Sequence, residues 1–218
     1  MLTYGMIRGT EQTAMIKHEY DFPVIEKDRH IEKITPGQDI IMTGFIALEG
    51  TARLAKEQRE RLLETLPEEL LDDAESFLNY LSRVPEAAVA IKHGATAVLN
   101  VGDGGIMTAL WHLAEYSGTG MRVGLRDIPV KQETIEICEV LEINPYHLLS
   151  GGCELLTADN GYRLCSDLKE LGFDAAVIGH ITSDNDKAII NGEGTGFLNR
   201  PQMDEYIRFY RQGAELTF

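Results

Sequence analysis

The sequence predicts an α+β protein built of mixed α/β layers, a sheet covered by helices, and three stretches carry that prediction. In the first, the apolar run Ala97-Val98-Leu99 stops at the glycine cluster Asn100-Val101-Gly102-Asp103-Gly104-Gly105, and a helical pattern begins at once. Ile106, Ala109, Leu110, Leu113 and Ala114 then recur at the spacing that lines one helix face. The second stretch, Ala175-Ala176-Val177-Ile178-Gly179-His180-Ile181-Thr182, is the most strand-like run in the chain. The third, Asp39 to Phe45, follows the turn signal Pro36-Gly37 and reads as a buried strand.

The remaining elements fill the intervals. In the first 37 residues, Tyr4 to Gly9 and Thr13 to Lys17 read as short strands. From Leu48 the apolar set Leu48, Ala52, Ala55, Leu62 and Leu66 shares a helix face, with Lys56, Glu57, Arg59, Glu60 and Arg61 on the solvated side. Pro67 opens a second helical stretch through Leu81, with Glu68 and Glu69 in its first turn where they suit the helix dipole. Pro85-Glu86 opens a third, ending at Gly94. After the helix over 106–117, Met121 to Leu125 alternates as a strand, and a helix follows from about Lys131 to Glu142 until Asn144-Pro145 stops it. Ser150-Gly151-Gly152 reads as a loop, Glu154 to Ala158 as a strand, and Asp159 or Asn160 as the cap of a helix bearing Leu164, Cys165, Leu168 and Leu171. Lys187 to Ile190 is expected to fold back on 175–182 as a hairpin, and a last helix is expected from Gln202 to about Tyr210.

Composition narrows the function classes. A chain of 218 residues with 44 % hydrophobic content can bury a proper core. A formal charge of −15 repels a phosphate backbone and an anionic leaflet, so neither nucleic acid nor a membrane is an expected partner. No apolar run is long enough to cross a bilayer, and Met1 to Thr10 lacks the apolar core of a secretory signal, so a cytoplasmic location is expected. Cys138, Cys153 and Cys165 show no Cys-x-x-Cys spacing, which argues against a metal centre. Cys138 and Cys165 fall on apolar helix faces, whereas Cys153, placed in the Gly151-Gly152 loop, is the thiol to test for reactivity.

The chemistry concentrates at the glycine cluster. Glycines ahead of a helix permit positive φ and let a ligand approach the first N–H groups, which together with the helix dipole favour an anion such as phosphate. The same pattern also serves simply to turn a chain from strand into helix. Gly102, Gly104 and Gly105 are therefore the candidate phosphate-binding residues, with Asn100 or Asp103 as candidate catalytic groups orienting a metal ion or water. For Asp103 an N-cap role competes with the catalytic and metal-binding one. His112 and His180 read as structural histidines, and Trp111 and Tyr116 as packing or dimer surface.

Beyond the loop, the order of motifs resembles the C-terminal domain of the aminoimidazole ribonucleotide (AIR) synthase superfamily (the PurM/HypE group), and within it the HypE-type hydrogenase maturation proteins. That family carries an Asp-x-Thr-x-Gly-Gly-Leu loop opening a helix and a later Glu-x-Ala-x-x-Ser-Gly-x-Gly. The counterparts here are Asn100 to Ile106 and Glu115-Tyr116-Ser117-Gly118-Thr119-Gly120. Ile128-Pro129, Leu141 to Pro145, Ser150-Gly151-Gly152 and Ala175 to Gly179 follow in the family's order, and Asp39 to Gly44 resembles the strand that enters the domain. The resemblance covers about residues 36–198 and implies a PurM C-terminal-domain-like sheet over 38–218, with 1–37 as an extension or a remnant of an N-terminal domain.

Members of the superfamily use ATP to activate an oxygen of an amide-like substrate in a cleft between two domains. The resemblance thus implies ATP and Mg²⁺ as cofactors and adds Ser150, Gly151 and Gly152 to the cofactor-binding set. In the family the N-terminal domain carries most of the nucleotide and Mg²⁺ ligands and pairs in a dimer, and residues 1–37 are too few to form it. Asn100 stands where the family has Asp, and the ending Ala214-Glu215-Leu216-Thr217-Phe218 lacks the cysteine tail of the HypE type. The expectation is a C-terminal-type module with a nucleotide-facing loop, catalytically incomplete alone, acting as a homodimer or with a partner chain that supplies an N-terminal-type domain. The alternatives are a dimeric ATP-dependent enzyme of the hydrogenase-maturation type and a non-catalytic structural or regulatory protein.

Overall fold

The computed structural model describes residues 29–81 and 84–215. The strands expected at Tyr4 to Gly9 and Thr13 to Lys17 lie outside these residues. The strands are β1 (Arg29–Ile31), β2 (Asp39–Thr43), β3 (Ala95–Gly102), β4 (Gly120–Gly124), β5 (Ser150–Ala158), β6 (Ala175–Thr182), β7 (Lys187–Asn191) and β8 (Gly194–Phe197). The helices are α1 (Leu48–Glu57), α2 (Arg59–Leu62), α3 (Glu68–Glu75), α4 (Val84–Lys92), α5 (Gly105–Ser117), α6 (Gln132–Leu141), α7 (Gly161–Glu170) and α8 (Glu205–Glu215). All eight strands join one mixed sheet in the order β1-β3-β5-β2-β6-β4-β7-β8, antiparallel except for the parallel β4–β7 pair.

Strand alternation divides the core between the two faces of the sheet. Ile40, Met42, Leu99, Val101, Leu155 and Ile178 point toward α1, α3, α5 and α6, whose buried Leu54, Leu71, Leu110 and Ile137 complete the larger core. Ile41, Val98, Leu156 and Ala158 point the other way, toward Val89 of α4 and Leu164 and Leu168 of α7. The expected helix over 106–117 is α5, whose Ile106, Leu110 and Leu113 are fully buried. It ends where Gly118 takes φ 64, returning its N–H to the Ala114 carbonyl. Asn160 caps α7 by accepting from the Arg163 N–H at 3.0 Å, which decides between the two expected caps.

The structure corrects several expectations. The run 187–190 does not pair with β6 as a hairpin, because β4 lies between them: Gly120 pairs with Thr182 of β6, and Met121 with Lys187 of β7. The connecting Ser183–Asp186 turn crosses the start of β4, where the Met121 N–H donates to the Asp186 carbonyl at 2.8 Å. Ser150-Gly151-Gly152 is no loop but the beginning of β5, and Cys153 is a fully buried residue of that strand. There glycine serves close approach: a Cβ on Gly151 would stand 2.0 Å from a Glu49 carboxylate oxygen, and Gly152 has φ +91. The helical stretch from Pro67 tightens into a 3-10 segment, Ser76–Tyr80, and the last helix begins at Glu205. His180 is exposed on β6, its side of the sheet uncovered there.

Candidate functional site at the glycine loop

Gly102, Gly104 and Gly105 have φ 52, 75 and 65, so the chain turns from β3 into α5 through backbone that side-chain-bearing residues rarely adopt. The glycines then diverge in role. Gly105 is buried against the turn before β5: a Cβ there would lie 2.6 Å from the Tyr146 carbonyl oxygen and 2.9 Å from that of Leu148. Gly104, also buried, donates its N–H to Oδ2 of Asp204 at 2.6 Å. A carboxylate thus occupies the position at the start of α5 where the dipole and the unsatisfied N–H groups favour negative charge.

Asp204 comes from the segment before α8, a hundred residues further along the chain. Its Oδ1 accepts from the Tyr206 N–H at 2.8 Å, capping α8, and the Leu149 N–H also donates to the carboxylate. The residue is only 6 % exposed, and burial raises its pKa above the ordinary carboxylate value. The N–H donors of Gly104, Tyr206 and Leu149 pull the other way, and the nearby Asp103 charge adds to the rise.

A cavity of about 580 Å³ opens beside this contact. The β3–α5 turn contributes Asn100 to Asp103, α1 contributes Glu49 and Arg53, the entry to β5 contributes Leu149 and Gly151, and the C-terminal arm contributes Asp204, Tyr206 and Ile207. Arg53 is held by Glu49 at 2.6 Å and lies 5.9 Å from the centre of the Tyr206 ring. Its pKa is raised chiefly by the Glu49 hydrogen bond. On the outer side, the hydroxyls of Tyr206 and Tyr210 both donate to the Glu57 carboxylate of α1. Burial, with Glu57 beside it, pushes the Tyr210 phenol up to about 12.

Of the residues expected at the site, Asn100, Gly102, Asp103 and Gly151 line the cavity, Asn100 and Asp103 as exposed side chains. Gly104 meets it through Asp204. Gly105 and Gly152 are buried in the scaffold, and the Ser150 hydroxyl is spent internally, donating to the Leu148 carbonyl at 2.7 Å and accepting from the Ala47 N–H at 2.8 Å. The Cys153 thiol donates to the Ser150 carbonyl at 3.3 Å. His112 stacks on Tyr116 with ring centres 6.2 Å apart, and neither it nor His180 reaches the cavity. Glu49, Arg53, Asp204 and Tyr206 were not anticipated. Asp204 alone left a trace, an N-cap residue type immediately before the helix at Glu205.

Residues 35–191 match the family model described as AIR synthase related protein, C-terminal domain. The chain belongs to that family. Among curated relatives, this AIR synthase-related chain is 27 % identical over 120 residues to the carbamoyl dehydratase HypE of Rhodobacter capsulatus, an alignment covering 55 % of this chain and 33 % of the relative. The fold is that of E. coli HypE, a hydrogenase maturation protein, with a TM-score of 0.67 at 18 % identity over 83 % of this chain and 55 % of the other. A HypE structure in complex with ATP shares it at a TM-score of 0.59 and 18 % identity, over 81 % of this chain and 54 % of that one. The chain therefore spans about a third of that curated relative and little more than half of these solved HypE chains. No helix among the described residues is long and apolar enough to cross a membrane.

Proposed function

We propose that this chain is an AIR synthase-related C-terminal-type module whose glycine loop faces the phosphates of a nucleotide. In this reading the module supplies one side of a catalytic site, and further protein completes it. The observation that carries the first half is the Gly104 N–H, which already holds a carboxylate oxygen at 2.6 Å and so offers an oriented donor to an oxyanion. The ATP complex of a HypE of the same fold supports the choice of nucleotide. Support for the second half is that residues 35–191 match the model of a C-terminal domain.

In this reading Gly102 and Gly104 receive phosphate through backbone N–H groups, Gly151 keeps the opposite wall low, and Gly105, Ser150 and Gly152 hold the scaffold. Asp103, exposed at the rim with Asn100 nearby, orients water or a Mg²⁺ ion that arrives with the nucleotide. The donor set suits that arrangement and no tighter one. Among the described residues no three acidic, cysteine or histidine side chains gather to hold a metal, whereas Mg²⁺ is commonly held by one or two carboxylates plus substrate phosphates.

Calorimetry and thermal unfolding with ATP, ADP and Mg²⁺ at millimolar concentration test the proposal. Saturable heat and a rise in melting temperature that grows with nucleotide concentration are expected. Flat titrations together with an unmoved melting temperature would sink it.

A further inference from the structure

The contact at Gly104 has a consequence for how the site is used. One N–H proton can point well at only one strong acceptor, and a phosphate oxygen would need the same 2.7–3.2 Å approach along the same direction, roughly, that the Asp204 carboxylate now occupies. Asp204 and a bound phosphate therefore exclude one another at this atom. The carboxylate is carried by an arm, the approach to α8 and α8 itself, that is bound differently from the rest of the molecule. Ile207 and Met203 are 46 % and 47 % exposed; the half-buried Tyr206 and Phe209 lay one edge of α8 on the larger core, and the Tyr206 and Tyr210 hydroxyls tie it to Glu57 of α1. At its other edge Arg208 is paired with Glu205 and reaches the Glu142 carbonyl at 3.3 Å. The exposed polar contacts exchange for water at little net cost, and two half-buried side chains are a small hold beside the interdigitated core beneath α5.

We infer that the C-terminal arm is an intramolecular latch: the Asp204 carboxylate stands in for a phosphate at the start of α5 and must swing out, with α8, before a phosphate-bearing ligand can seat. The inference rests on the nucleotide reading of the loop and adds its regulation. Closed, the latch lowers apparent affinity by the fraction of molecules in which the site is open. It also couples ligand binding to release of α8 from α1, so a ligand at the loop is reported about 9 Å along the helix, at Tyr210.

The test compares the wild-type chain with two variants. Asp204→Ala removes the stand-in carboxylate, and Glu57→Ala removes the acceptor of both phenols and so loosens the far end of the arm at a residue outside the cavity lining. MgATP affinity is read by calorimetry, and amide hydrogen exchange is followed over residues 205–215. Both variants are expected to exchange faster in the arm without ligand and to bind MgATP about tenfold more tightly or better, and MgATP is expected to speed arm exchange in the wild type. MgATP binding that is equal in all three proteins, with the arm equally protected throughout, overturns the latch and leaves the nucleotide reading standing. No binding by any of the three overturns both. The Glu57→Ala variant keeps the test decisive if loss of the Asp204 cap unfolds α8 outright.

Discussion

The two segments that meet at Asp204 are attached to the protein in opposite ways. On one side, the β3–α5 unit is embedded: Ile106, Leu110 and Leu113 are fully buried, and Gly105 sits against the backbone at 146–148 with no room for a side chain. On the other, α8 leaves Ile207 and Tyr210 46 % and 38 % exposed, lays the half-buried Tyr206 and Phe209 on the core, and meets α1 through phenol and carboxylate groups. Burial of apolar surface is worth roughly 25 cal/mol per Å² and is lost only on unfolding, whereas an exposed hydrogen bond is worth about 1 kcal/mol and is readily traded for water. The lesson is a division of labour, in which a fixed element presents the donor and an exchangeable one covers it.

Breaking the fixed side should cost most. Gly105→Ala forces a Cβ to within 2.6 Å of the Tyr146 carbonyl at φ +65, and a loss of about 3 kcal/mol in denaturant unfolding is expected. At Gly104 a β-branched residue also meets a positive φ, but its Cβ runs only against the Thr108 side chain at 2.5 Å, which can move. Gly104→Val should therefore lose about 2 kcal/mol, leave the fold standing and abolish the MgATP response, all readable in one thermal-shift series. Unchanged MgATP affinity in that variant would contradict the role given to the loop. Loosening the exchangeable side with Tyr206→Phe/Tyr210→Phe should cost about 1 kcal/mol or less globally, with the change concentrated in amide exchange of the arm.

The smallest effect expected is one of pH. Burial raises the Asp204 pKa above its unfolded value despite the three N–H donors and beside the Asp103 charge. Its contribution to stability is therefore fully present below the ordinary carboxylate range and is lost as pH rises through the raised folded value. Across that window the stability of the wild type relative to Asp204→Asn should fall with rising pH, measured by urea unfolding. A relative stability that rises instead would mean that the N–H donors outweigh burial.

Much of the embedded side was legible in the sequence. The switch from a strand run to a 3.6-residue period, with glycines between, located α5 within a residue and β3 within three residues at either end, since both signals are local. Gly151-Gly152 misled because glycine usually marks a turn, and the Glu49 carboxylate that requires its absence of side chain lies about a hundred positions away. The β6–β7 hairpin failed for a related reason: adjacency in sequence favours pairing, and nothing local shows that β4 inserts between them. At the site, Asn100, Gly102 and Asp103 could be named because they share one motif. Asp204, Glu49 and Arg53 could not, because only tertiary packing of α1 and the arm brings them to the loop.

The Gly104 amide is the atom on which the account turns. Its ¹H and ¹⁵N resonances, followed during a MgATP titration of the isotope-labelled chain, report directly what that N–H is bonded to. These resonances are expected to rank among the largest shifts in the spectrum and to saturate with the calorimetric affinity, with the amides of α8 moving in parallel as the arm is released. A Gly104 amide that stays fixed at saturating MgATP, with α8 equally unmoved, would contradict the account.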